Sequence, residues 1–150
     1  MTQALANQIL SYMIFHHPSP QIHLLLVGGN NLRGDWYPQD DPQELLELFA
    51  YLISEAKSIS NCRILVSSLI PSIVNMHKCD SVFMDFDMAL KALVDPEQEF
   101  LDLGKSLRKK TSKIKTKLYH SDNIHLDNDG TIQITKQIFN RLNGLSYNFS

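Results

Sequence analysis

Residues 22–31 read IHLLLVGGNN, an almost unbroken apolar run from Ile22 to Val27 that stops at two glycines and a tandem asparagine. A run of this kind, apolar without alternation, is the pattern of a parallel strand buried on both faces. Glycines at its end let the backbone turn tightly. An asparagine amide placed there can be aimed into a cleft as a hydrogen-bond donor.

The segments on either side extend the same pattern. Upstream, Leu5, Ile9 and Met13 fall at helical spacing within residues 4–16, and Pro18 and Pro20 end that helix. Downstream, Asp41 suits a helix cap, Pro42 its first turn and Glu44 the partner position of a capping box. Leu45, Leu48, Leu52, Ala56 and Ile59 then recur on one face until Asn61. Arg63–Ile70 (RILVSSLI) reads as a second strand closed by Pro71, Asp80–Val94 as a helix, and Glu99–Leu103 as a short third strand. A last helix runs from about Gly130 to Leu142 through Ile134, Ile138 and Leu142. The alternating order predicts one α/β layered domain over residues 1–150, with a parallel sheet and right-handed crossovers. Ligands in such sheets bind beyond the carboxyl ends of the strands, where Gly28–Asn31 and Pro71-Ser72 lie.

Composition excludes several classes. With 43% hydrophobic and 20% charged residues in 150, the chain has the make-up of a globular domain. No window approaches a membrane span, and the N-terminus lacks the basic region and cleavage site of a secretory signal, so an intracellular, cytoplasmic location is expected. Cys62 and Cys79 read as free thiols. No His or Cys spacing suggests a metal site, and His16, His17, His23 and His77 receive no role. Met13, Met84 and Met88 read as core filler, and Trp36 and Tyr37 as loop anchors. The net charge of −2 conceals a basic run: Lys105, Arg108, Lys109, Lys110, Lys113, Lys115 and Lys117 hold half of the chain's 14 basic residues with no acid among them.

Two motifs carry chemistry. Gly28-Gly29-Asn30-Asn31 after a strand supplies a fixed amide dipole of the kind an oxyanion hole needs. Asp122-Asn123-Ile124-His125, just before the last helix, places a carboxylate where it can orient an imidazole and stabilise its protonated form, readying it as a general base. Taken singly, the first is most simply a turn and the second a turn aspartate beside a surface histidine.

Together and in this order they resemble the SGNH (GDSL-like) hydrolases. That family's third block, G-x-N-D, is matched by Gly28, Gly29 and Asn30, with Asn31 in the Asp position. Its fifth, D-x-x-H-L, is matched by Asp122, His125 and Leu126, followed by a helix carrying Gly130. The resemblance implies a three-layer flavodoxin-like fold and serine-dependent hydrolysis of small acyl esters without metal or cofactor. Asn30 would be the oxyanion donor, Gly28, Gly29 and Asn31 its turn support, His125 the base and Asp122 its orienter.

One block is missing. The family carries its nucleophile in a Gly-Asp-Ser block ending the first strand, upstream of the third block, and no such tripeptide occurs here. No glycine precedes Leu24, Ser11 lies within the predicted helix, Ser19 stands between prolines, and Ser67, Ser68 and Ser72 belong to a later strand. The resemblance therefore implies a domain lacking its first two strands, inactive as written, with an unpaired apolar edge at residues 22–27 open to a partner strand or to self-association. The alternative is a non-catalytic SGNH-like binding module. In it, a protein would pair with that edge, or nucleic acid would contact Lys105, Arg108, Lys109, Lys110 and Lys113. A solvated basic surface is favoured over nucleic acid, because no aromatic interleaves the run before Tyr119.

Overall fold

A computed structural model describes residue 8 and residues 22–26, 41–59, 63–74 and 76–144. The predicted N-terminal helix, the Gly28–Asn31 turn, Trp36, Tyr37 and Cys62 lie outside the described residues.

Three parallel strands form the sheet: β1 (Ile22–Leu25), β2 (Arg63–Ser67) and β3 (Phe100–Leu101), in spatial order β1-β2-β3. Leu24 pairs with Leu65 and Leu25 with Val66, while Val66 pairs with Phe100 on β2's other side. Among the described residues β1 pairs on one side only, with β2. The strands are joined by α1 (Pro42–Ile59) and α2 (Met76–Ala92). Beyond β3 come a short α3 (Leu103–Ser106), a 3₁₀ turn at Thr116–Leu118 and α4 (Asn128–Gly144).

Pleating divides the apolar runs between two faces. Leu25, Ile64, Val66 and Phe100 turn toward α1 and α2, where they pack with Leu45, Phe49, Leu52, Phe83, Phe86 and Leu90. Phe49 and Phe86 meet edge to face, 5.6 Å between ring centres, which joins the two helices. Both crossovers step in the same direction across the sheet, so both helices cover this one face. Leu65, Leu101 and Leu103 occupy the opposite face, against the half-buried Leu24, Ile134, Ile138 and Leu142, the last three from α4. The result is the expected helix–sheet–helix sandwich, with its larger core beneath α1 and α2.

Local chemistry sets the element ends. Asp41 Oδ1 accepts from the Gln43 N–H at 3.2 Å and starts α1 at Pro42, as its sequence signature requires. A salt bridge of 2.6 Å from Lys57 to Glu99 ties the last turn of α1 to the approach to β3. β2 stops at Ser67, short of the predicted Ile70, because the following backbone turns to side-chain partners. α2 begins at Met76, four residues before the predicted start at Asp80. Met84 and Met88 are not core: they are 40% and 73% exposed on its outer face.

Candidate active site

The chain between the 3₁₀ turn and α4 is a tight loop whose sequence dictates its shape. Tyr119 and Leu126 form an antiparallel bridge, the His120 N–H donates to the His125 carbonyl at 2.8 Å, and the Asn123 N–H donates to the His120 carbonyl at 3.0 Å. Asn123 closes the turn with φ 61°, a left-handed conformation that asparagine tolerates better than most residues.

Inside this loop Asp122 and His125 meet as the sequence predicts. Asp122 Oδ2 lies 2.6 Å from His125 Nδ1, and Oδ1 accepts from the backbone N–H groups of Ile124 at 2.9 Å and His125 at 3.0 Å. The hydrogen bond from His125, then the two backbone donors, hold the Asp122 carboxyl well below the usual carboxylate range. With Nδ1 donating to a carboxylate, the neutral ring carries its proton there and leaves Nε2 as an acceptor. Among the described residues Nε2 has no hydrogen-bond partner, and the His125 side chain is 75% exposed. An oriented imidazole with a free Nε2 lone pair is equipped to take a proton from a hydroxyl brought to it.

Two clamps fix the loop. At its start, the buried Tyr119 hydroxyl donates to the Pro71 carbonyl at 2.5 Å, and burial pushes its pKa upward, so it remains a donor. The Asn123 carbonyl accepts from Ile73 N at 2.9 Å, Val74 N at 3.3 Å and Ser72 Oγ at 3.3 Å. At its end, Asp127 accepts the Gly130 N–H at 2.9 Å, and the Asp127 N–H donates to the Leu118 carbonyl at 2.9 Å. Gly130 is needed there, since a Cβ would run into that same Leu118 carbonyl. Pro71-Ser72 thus cradles the Asp122–His125 loop, a role that its strand-end position alone did not reveal.

Asn30, with Gly28, Gly29 and Asn31, lies outside the described residues, so the structure does not set it against the dyad. The serines of β2 and its exit are engaged in the scaffold. Ser67 Oγ donates to the Ser68 carbonyl, Ser68 Oγ accepts the Gly104 N–H at 2.8 Å, and Ser72 Oγ donates to Asn123. No cluster of metal-ligating side chains occurs among the described residues.

The basic run does not form one patch. Arg108 is turned inward, with a side chain 10% exposed, and its guanidinium holds Asp80 by two bonds of 2.6 and 2.7 Å. Burial alone would lower its pKa, but the pairing with Asp80 outweighs burial and raises it. Lys115 Nζ donates to the Ser106 carbonyl, and Lys113 and Lys117 are exposed. Lys105, Lys109 and Lys110 line a cavity beside α2.

No protein-family model and no curated sequence matches this chain. Solved structures do match. A GDSL-like lipase from Bacteroides thetaiotaomicron superposes with a TM-score of 0.70 at 12% identity, covering 93% of this chain and 71% of its own. A carbohydrate esterase family 3 structure from Talaromyces cellulolyticus gives 0.72 at 14%, covering 94% and 65%. The OSK domain of Drosophila Oskar gives 0.68 at 14%, covering 87% and 64%. The chain therefore has the α/β fold of the GDSL-like hydrolases, and it spans about two thirds of the length of these structures.

Proposed function

We propose that this chain carries the acid–base part of a serine acylhydrolase acting on carboxylic esters. The observation that carries the reading is the 2.6 Å contact between Asp122 and His125 Nδ1 with Nε2 left free and exposed. The esterase and lipase structures that share the fold support the ester class.

In this reading His125 Nε2 removes the proton of a serine hydroxyl as its oxygen attacks the ester carbonyl, and the Asn30 amide donates to the oxyanion that forms. The imidazolium, stabilised by Asp122, then protonates the departing alkoxide. Water, deprotonated by the same nitrogen, releases the acid and restores the serine. No metal or cofactor takes part. In this reading the serine comes from outside these 150 residues. They contain no Gly-Asp-Ser, and the three serines around β2 already hold the scaffold together.

Two measurements test the proposal. Treated with a fluorophosphonate, the 150-residue chain should take up no label on serine. Stoichiometric modification of one would place the nucleophile inside the chain and overturn that part. Long-range ¹H–¹⁵N NMR of the neutral protein should show His125 protonated on Nδ1, and Asp122→Asn should abolish that preference. A ring protonated on Nε2 in the unaltered protein would remove the base from the mechanism.

A further inference from the structure

The outer face of α2, β3 and the segment from Asp102 to Ser112 enclose a cavity of about 410 Å³ that shares no residue with the Asp122–His125 loop. That volume suits a small organic molecule. One wall is apolar, formed by Met84 and Met88, one helical turn apart on α2, together with Phe100. Unbranched thioethers such as these adapt to flexible chains better than to rigid shapes.

The rim is cationic. Lys91, Lys105, Lys109 and Lys110 all line the cavity, and none of them forms an ion pair among the described residues. The Lys91 ammonium sits 5.9 Å from the centre of the Phe100 ring. Two carboxyl groups also line the space and offset the four lysines in part, each held in place by a backbone N–H. Asp102 Oδ1 accepts the Lys105 N–H at the start of α3, and Asp87 Oδ1 accepts the Leu69 N–H at 2.7 Å. The Arg108 guanidinium, a further lining group, is neutralised by Asp80. An apolar wall inside a ring of unpaired ammonium groups calls for an anion carrying an apolar tail.

Nucleic acid fits less well. Single strands are held by bases stacked on exposed rings, and the one ring in the lining, Phe100, is 4% exposed.

We infer that this cavity binds a single-chain anionic amphiphile of the fatty-carboxylate type, its carboxylate held among Lys105, Lys109 and Lys110 and its chain lying on Met84 and Met88. The site is independent of the proposed hydrolase reaction.

Methyl-labelled methionine NMR on the whole chain tests it, with decanoate below its micelle-forming concentration as the probe. The Met84 and Met88 methyl signals should shift saturably with decanoate, and little with inorganic phosphate or decanol at the same concentrations. Affinity should fall about tenfold or more when Lys105, Lys109 and Lys110 are all changed to Gln. It should fall similarly in a Met84→Gln, Met88→Gln double variant, whose exposed positions leave the core untouched. Absence of saturation, or an affinity indifferent to both variants, overturns the inference. So does tighter, steeply salt-dependent binding of a short oligouridylate that the lysine variant abolishes, which would make the groove a nucleic-acid site.

Discussion

Asp87→Asn removes a titratable carboxyl group from the lining of the cavity and leaves the shape of the side chain nearly unchanged. Burial, opposed by the Leu69 N–H and the Arg108 charge and reinforced by Asp102 and Asp80, pushes the Asp87 carboxyl up from 3.8 to about 7. The native state therefore keeps this proton over a pH range in which the unfolded chain has lost it. Stability falls as pH rises from about 4 to about 7, and the loss is complete above that window. A rise of this size has a ceiling of about 4 kcal/mol. Water reaching the half-buried carboxyl lowers the expected effect to about 2 kcal/mol. The substituted amide would keep an oxygen for the Leu69 N–H and would not titrate. In urea unfolding at about pH 4 and about pH 8, the variant should therefore gain about 2 kcal/mol on the unaltered protein between the two conditions. A stability difference that is the same at both values, or that moves against the variant at the higher one, would refute the assignment of a strained carboxylate to this position.

The remaining predictions concern the clamps on the dyad loop and the inward-turned arginine. Tyr119→Phe deletes the bond to the Pro71 carbonyl and should cost about 1–2 kcal/mol in urea unfolding, with faster amide exchange at Asn123 and His125. Gly130→Ala forces a Cβ against the Leu118 carbonyl and should cost about 2 kcal/mol or more by the same assay, whereas Gly144→Ala, which meets open space, should be nearly neutral. Arg108→Ala and Asp80→Ala should each destabilise by more than about 1 kcal/mol, and a double-mutant cycle should return a coupling of about 1–2 kcal/mol. A cycle without coupling would mean that the arginine is held by packing alone.

What the sequence made legible, and what it concealed, divides by the range of the interaction. α1 was readable to its ends because its signals are local: Asp41 and Pro42 start it, and its apolar spacing repeats up to Ile59. The Asp122–His125 pair was readable because three residues separate its members and a single turn brings them together. The strand at Ile22 was readable because a sheet covered on both faces buries alternate side chains on opposite sides, here Leu24 and Leu25, which leaves an apolar run broken only by His23. Met84 and Met88 were misread as core because residue type carries no information about which face of α2 meets the sheet. The basic run misled in the same way. Arg108 and Lys109 are neighbours in sequence, yet one is turned inward to pair with Asp80, 28 positions away, and the other is exposed with no ion pair among the described residues. The Tyr119–Pro71 bond, which spans 48 positions, left no trace in either segment.

These long-range contacts converge on the few residues that leave β2. Ser68 Oγ receives the Gly104 N–H and seats α3. The Leu69 N–H reaches Asp87 on α2, the Pro71 carbonyl receives Tyr119, and Ser72 to Val74 hold the carbonyl of Asn123. Backbone that leaves the sheet must find partners for its polar groups once the ladder ends, and here they come from α2, α3 and the Asp122–His125 loop. The exit of the central described strand thus supports the Asp122–His125 loop on one side and the cavity wall on the other. Its two serines could not leave this post without orphaning a buried N–H at Gly104 or loosening Asn123. The Asp122–His125 contact is set within its own turn, where Asp122 Oδ1 takes the N–H groups of Ile124 and His125. The bonds to the exit of β2 and the start of α4 hold that turn in place, so a hydroxyl presented to Nε2 would meet an imidazole already oriented.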